Sequence, residues 1–285
     1  MNDLFEIDIR SREALRALAE ERGKRMEIER LAAARFLGDR EEFSFEGHCL
    51  VCERTTLLKV DWMYAERPTP NWRERLVCDG CELNNRQRYA MHLLIRESGG
   101  RGGAGKVYLQ EQITPFYEST SRILGAQRVV GSEYLGADRS PGEIVDGLRH
   151  EDAEHLSFPD ASFQAISSND VLEHVNEHGA ALAQMCRVLV PGGTAIVTIP
   201  FSEGRDVTQR RARIEADGSL THLLPPEYHG NPLDEGGSLV FSDFGWDILD
   251  CARKAGFSQA FVRGYWSFRY GHMGGGLQML FILRR

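Results

Sequence analysis

The 285-residue chain has no apolar run approaching the roughly 18 residues of a membrane helix, which excludes a helical membrane span. Its first residues, MNDLFEIDIRSREALRALAEERGKR, are charged throughout and lack the apolar centre of a secretory signal. There is no basic excess: 34 Lys and Arg stand against 42 Asp and Glu, a net charge of −8. Up to Lys106 the chain holds 19 basic and 19 acidic residues, and the remainder holds 15 and 23. Neither part has the basic footprint of a nucleic-acid binder. At 42% hydrophobic and 27% charged residues, the composition is that of a folded chain and not of a disordered one. The expectation is a cytoplasmic protein with no membrane partner, with nucleic acid disfavoured, and with about two domains for its length.

Cysteine is the first feature present in a telling pattern. Cys49, Cys52, Cys78 and Cys81 fall within 33 residues, while Cys186 and Cys251 stand alone and read as core thiols. In a chain without a secretion signal such clustering points to metal rather than disulfides. CLVC and CDGC are two Cys-x-x-Cys knuckles, and four thiolates complete a tetrahedral zinc site. No coordination position is left for water, so the zinc is expected to be structural. Four free thiols or a redox pair are the alternative. His48 and His92 lie nearby but are not needed as ligands.

Along the chain, Leu15, Leu18, Met26, Ile28, Leu31 and Phe36 recur among Arg, Glu and Ala. This spacing predicts a helix over residues 8–37, ending at Gly38. Its apolar face either packs on its own chain or makes a homodimer. Residues 99–105, GGRGGAG, carry too much backbone entropy for a packed element and read as a linker between domains at 1–98 and 106–285. A phosphate-binding loop is the other reading, but the segment precedes a strand instead of following one. Strands are expected at Val107–Glu111, Arg128–Glu133, Gly147–Glu151, Phe163–Ser168, Thr194–Ile199, Ala260–Tyr265 and Leu277–Leu283. Helices are expected at Pro115–Leu124, Glu177–Val190 and Asp243–Ala255, the first capped by Thr114. Pro191-Gly192-Gly193 would stop the second of these helices. The alternation predicts an α/β fold with a doubly wound parallel sheet covered on both faces.

The stretch LRHEDAEHLSFPDASFQAISSNDVLEHVNEHGAALAQMCRVLVPGGTAIVTIPF resembles the core of the class I S-adenosylmethionine-dependent methyltransferases. With its flanking strands the resemblance covers about residues 106–285. It implies a Rossmann-like methyltransferase sheet, here joined to a small N-terminal zinc-binding domain and helix. The knuckles, a glycine-poor first turn and HLLPPEYHGNP before FSDFGWDIL also resemble a bacterial subgroup of methyltransferase-like proteins.

The resemblance assigns roles by position. Glu133, with Tyr134 beside it, would meet the cofactor's ribose at the end of the second strand. Asp152 and Ala153 would meet the adenine, and Asn169 and Asp170 the methionine part. Glu173 and His174 either join the site or cap its loop. The family's first turn is usually glycine-rich, but VYLQEQITPFYES has no glycine. It must be built from Glu111, Gln112, Ile113 and Thr114, with amides at a helix start to receive a carboxylate. Gln112 and Thr114 would add donors, and Glu111 would face the cofactor's ammonium. GADRSPGEIVDG leaves little room for a second helix, and Gln164 stands where an Asp is common. The polar excursion at about 202–240 would shape the acceptor pocket. It supplies His229 as candidate base, since imidazole titrates near neutrality, with Tyr228, His222 and Glu227 nearby. Trp266, Tyr270 and His272 either line the same pocket or pack.

The implied activity is methyl transfer from S-adenosylmethionine to a small-molecule acceptor of natural-product or sugar type, at oxygen or nitrogen. An RNA or protein methyltransferase docking its substrate through the zinc domain is the first alternative, with Arg54, Lys59, Arg67, Arg73, Arg75, Arg86 and Arg88 supplying charge. A non-catalytic cofactor-binding descendant is the second, and the missing glycine turn is its support.

Overall fold

The computed structural model describes residues 3–38 and 40–285. In chain order the first elements are β1 (Phe5–Ile9), α1 (Arg12–Arg16), α2 (Ala19–Ala32), β2 (Glu42–Cys49), β3 (Arg54–Asp61), β4 (Val77–Cys78) and α3 (Asn85–Glu97). Then come β5 (Val107–Leu109), α4 (Pro115–Leu124), β6 (Val129–Gly131), β7 (Ile144–Val145), β8 (Leu148–Arg149), β9 (Phe163–Asn169), α5 (His178–Val188) and β10 (Leu189–Thr198). The excursion holds β11 (Gln209–Arg210), β12 (Ala212–Ile214), β13 (Leu220–His222), β14 (Tyr228–Asn231), β15 (Asp234–Leu239) and β16 (Ser242–Asp243). The chain closes with α6 (Ile248–Lys254), β17 (Gln259–Trp266) and β18 (Gln278–Arg284). Two compact units interleave along this order. One takes the residues up to Gly102, Ile113–Gly125 and Val262–Leu280; the other takes Gly103–Gln112, Ala126–Phe261 and Phe281–Arg285.

In the first unit, the expected helix over 8–37 starts later. Asp8 and Ile9 belong to β1, which pairs antiparallel with β17, Phe5 opposite Trp266 and Ile9 opposite Val262. Helical backbone begins after Ser11, whose hydroxyl accepts the Ala14 N–H at 3.2 Å. The face buried by α2 also differs from expectation. Met26, Ile28 and Leu31 are exposed, whereas Glu29 is buried. Its carboxylate accepts the Trp266 indole N–H at 2.9 Å and the Gly274 N–H at 2.7 Å, which offsets the cost of burying charge. β2 and β3 form a hairpin that β4 extends. α3 opens on a reciprocal cap: the Asn84 side chain accepts the Gln87 N–H at 2.9 Å, and the Gln87 side chain accepts the Asn84 N–H at 3.1 Å. Asn84→Ala is expected to cost about 1 kcal/mol, read as a lowered thermal midpoint with the fold otherwise retained.

In the first unit β1 lies beside β17, and in the second the strand order is β18-β10-β9-β5-β6. In the second unit β6, β5, β9 and β10 are mutually parallel. Val107, Tyr108 and Leu109 are all buried, as a strand covered on both faces requires. The sheet is mixed, not wholly parallel, because β18 runs antiparallel to β10. The connection from β17 to β18 carries Gly271, Gly274, Gly275 and Gly276 and no helix, so no helical crossover precedes β18. The expected third strand is reduced to a parallel bridge between Glu133 and His150 beside the small β7–β8 hairpin. α5 stops at Val188 as Pro191-Gly192-Gly193 requires, yet those residues run inside β10 as a bulge. A Cβ at Gly193 would lie 2.9 Å from the Val190 carbonyl and 3.0 Å from that of Gln164, so only glycine fits there. α6 begins at Ile248 and not at Asp243, because Ser242 and Asp243 pair with β11. Among the described residues, no helix is long and apolar enough to cross a membrane.

Candidate functional site

Two constellations stand out, one in each unit. In the first unit Cys49 ends β2, Cys78 ends β4, and Cys52 and Cys81 occupy the turns that follow. Each knuckle repeats one geometry. Glu53 N–H donates to the Cys49 carbonyl at 2.8 Å, and Glu82 N–H to the Cys78 carbonyl at 2.9 Å. Glu53 and Glu82 both have φ near +60°, at 55° and 61°. The sulfurs of Cys49 and Cys81 are 3.8 Å apart and those of Cys52 and Cys78 3.7 Å. All four lie within 4.8 Å of one another. Zn–S bonds of 2.3 Å in a tetrahedron set an S···S edge of about 3.8 Å, so the cage already has the size of a four-thiolate metal site. Cys52 N–H donates to the Cys49 sulfur at 3.4 Å and Gly80 N–H to the Cys78 sulfur at 3.3 Å. Burial, together with Cys49 and Cys78, pushes the Cys52 thiol up to about 12.

The second constellation lies at the carboxyl ends of the adjacent strands β6, β5 and β9. The glycine-free turn after β5 is tied down by its own side chains. Gln112 N–H donates to the Glu133 carboxylate at 2.6 Å. The Gln112 side chain donates to the Gly147 carbonyl at 3.1 Å and accepts the Arg149 N–H at 2.9 Å. The Asn169 amide donates to the Glu111 carboxylate at 2.5 Å. The structure thus brings together Glu111, Gln112, Glu133 and Asn169. Asp170 follows at φ +52°, with Thr198 Oγ1 donating to its carboxylate at 3.2 Å. Tyr134 is exposed, its ring 5.5 Å from that of His150. Asp152 is engaged locally: Oδ1 accepts the Glu154 N–H at 2.9 Å and Oδ2 faces the His155 ring at 3.1 Å. Thr114 accepts the Tyr117 N–H at 3.2 Å, capping α4 within the first unit. Sequence reasoning passed over Gln110, the residue just beyond β5. Its side-chain oxygen is buried without a hydrogen-bond partner. Its neighbour Glu111 was the signal available.

In the excursion, His222 and Tyr228 are exposed, whereas His229 sits among charges. Glu173 beside it raises the His229 pKa against the effect of burial, and Glu227 adds to the rise. In the first unit Trp266 is half-buried and His272 is buried. The His272 ring bonds the Asn85 side chain at 2.8 Å, and burial drives its pKa well below the usual imidazole value. Packing is therefore what the structure gives for His272.

Comparison with known proteins centres on the second unit. Residues 118–197 match the family model described as a methyltransferase domain. A probable S-adenosylmethionine-dependent methyltransferase of Mycolicibacterium smegmatis is 36% identical over 140 residues, 40% of this chain and 54% of that protein. A ubiquinone/menaquinone biosynthesis C-methyltransferase of Chromobacterium violaceum is 50% identical over 70 residues, 24% of this chain and 28% of that protein. The chain thus spans about half the length of the first of these relatives and less of the second. A crystal structure of an S-adenosylmethionine-dependent methyltransferase from Mesorhizobium loti overlaps 72% of this chain and 100% of that chain, at 15% identity and a TM-score of 0.43. The matched segment takes in β6, β9, α5 and nearly all of β10, and over this part the chain is similar to methyltransferase domains of the S-adenosylmethionine-dependent class.

Proposed function

We propose that the protein transfers the methyl group of S-adenosylmethionine to a small-molecule acceptor, at oxygen or nitrogen, and carries a structural zinc on Cys49, Cys52, Cys78 and Cys81. The observation that carries this reading is the meeting of Glu111, Gln112, Glu133 and Asn169 at the carboxyl ends of three adjacent parallel strands, where open α/β sheets bind their ligands. The donor set suits the cofactor. The Glu133 carboxylate suits a ribose diol. The Glu111 carboxylate and the partnerless buried oxygen of Gln110 suit an ammonium. Asn169 and Asp170 border the same ground, and Asp152 and Ala153 are the proposed adenine contacts.

Bound S-adenosylmethionine supplies an electrophilic methyl group on a sulfonium. The chain's own task is alignment, since in-line displacement needs the reacting atoms held in near-attack geometry. Glu133 fixes the ribose end while Glu111, steadied by Asn169, fixes the ammonium end. Of the residues proposed on the acceptor side, His229 is the one set among ionisable partners.

The zinc module gives little support to an RNA-docking role. Arg75 pairs with Asp61, Arg86 and Arg73 with Glu74, and Arg67 with Glu41. Arg88 is buried on the carbonyls of Tyr270, Leu76 and Gly271. Calorimetry with S-adenosylmethionine and S-adenosylhomocysteine is expected to show one site per chain. Silence with both compounds would sink the reading. RNA retained on a filter at low salt would instead favour macromolecular docking.

A further inference from the structure

Glu173 poses a problem that the methyl-transfer reading does not solve. It follows β9 in a short helical turn, Leu172–His174, and its side chain is fully buried. Neither carboxylate oxygen has a hydrogen-bond partner. A buried ionised carboxylate left alone is costly and calls for a cation. Two imidazoles face it at spacings too long for hydrogen bonds: His229 Nδ1 at 3.7 Å and His174 Nε2 at 3.8 Å, both from Oε1. The three ligand atoms lie within 4.8 Å of one another. Donors on one ion at about 2.1 Å, spread by 120°, stand roughly 3.6 Å apart, close to what is seen.

The outer nitrogen of each ring faces a protein oxygen, and the inner nitrogen faces Glu173. His174 Nδ1 lies 2.8 Å from the Leu239 carbonyl, so it carries the proton and Nε2 presents its lone pair to Glu173. His229 Nε2 faces the Glu227 carboxylate at 3.5 Å, which leaves Nδ1 as the nitrogen turned toward Glu173. Glu227 is in turn held by Arg211 at 3.1 Å, and Arg211 by Asp243 at 2.8 Å. A carbonyl behind one imidazole and a carboxylate behind the other is the second layer that orients histidine ligands in metal sites.

We propose that Glu173, His174 and His229 bind a divalent first-row transition cation, distinct from the metal of the four-cysteine cage. Two imidazoles with one carboxylate select manganese, iron, cobalt or zinc over calcium or magnesium, and leave coordination positions open. The two rings are partly exposed, at 18% and 32%, so an ion can enter and a ligand can reach it. The cation makes His229 a ligand and not a base. An acceptor offering two adjacent oxygens, such as a vicinal diol, would chelate it and have its hydroxyl acidified. This last step rests on the methyl-transfer reading, whereas the cation does not.

The test uses the full chain with its cysteine cage loaded with zinc, titrated with Mn²⁺ and with Co²⁺ by calorimetry and spectroscopy. One further ion per chain is expected, and bound Co²⁺ should show weak visible bands without thiolate charge transfer. Glu173→Gln and His229→Gln should each weaken binding by at least about tenfold, as should Glu227→Gln through the second layer. Glu173→Gln should melt no lower than the parent without the added ion, since it removes a buried carboxylate that no hydrogen bond satisfies. The partly exposed His229→Gln keeps the test open if Glu173→Gln fails to fold. No added ion in the parent, or unchanged affinity in the folded variants, would overturn the site. S-adenosylhomocysteine calorimetry on the same samples reports separately on the methyl-transfer reading.

Discussion

Cys78→Ser is expected to strip the metal from the four-cysteine cage and to abolish folding of the β2–β4 region at physiological temperature. The magnitude follows from the role of the cage. Structural zinc in small peptides contributes about 10–16 kcal/mol of apparent binding free energy, against roughly 5–15 kcal/mol for the net stability of a whole domain. Cys78 carries more than one quarter of the cage. Its sulfur takes the Gly80 N–H and lies 3.4 Å from Thr56 Oγ1, and its backbone belongs to β4. A serine there supplies a weaker ligand and leaves three thiols in a space shaped for thiolates. Zinc content measured per chain should fall to near zero, with a large drop in thermal midpoint, and a strong chelator should reproduce both. Cys186→Ser, in α5 and far along the chain from the cage, should leave the zinc content unchanged. Equal zinc and an equal midpoint in Cys78→Ser would refute the structural metal.

Glu133→Gln is expected to weaken S-adenosylhomocysteine binding by roughly 10- to 150-fold, the equivalent of losing one charge-assisted hydrogen bond at about 1.5–3 kcal/mol. The substitution is chosen to spare the turn. An amide oxygen still accepts the Gln112 N–H that now reaches the carboxylate at 2.6 Å. The far-ultraviolet spectrum and melting curve should therefore match the parent, and the loss should appear in affinity alone. Gln112→Ala acts by the opposite route. It removes the side-chain bonds to Gly147 and Arg149, so it should loosen the turn before it affects any ligand. Unchanged affinity in Glu133→Gln would remove this acid from the cofactor site.

Much of this arrangement was legible because it is written in local chemistry. Thr114 and Pro115 mark the start of α4, and the helix begins where those signals place it. The cysteine pairs declare themselves because two residues of spacing bring two sulfurs to one ion. Glu133 follows β6 and Asn169 ends β9, both at strands expected from the sequence. What escaped depends on partners distant in sequence. FEIDI adjoins a strongly helical run, and its strand character is settled by pairing with β17, some 250 residues away. Glu29 reads as a solvent-facing acid in a charged helix, yet Trp266 and Gly274 meet it there. Glu173 was seen only as a neighbour of the cofactor loop, because nothing local shows that β14 brings His229 to its carboxylate. The excursion reads as one polar stretch because its hairpins are short and their side chains mixed.

The glycine-free first turn has a thermodynamic consequence. A glycine loop explores many backbone states when empty and surrenders them when a ligand arrives. Here Glu111 and Gln112 are already fastened to neighbouring segments, so that conformational entropy is lost during folding and not on association. Ligand capture by such a preorganised turn carries a smaller entropic penalty. Its calorimetric signature is a binding entropy less unfavourable than that of a glycine-turn relative measured with the same compound at the same temperature.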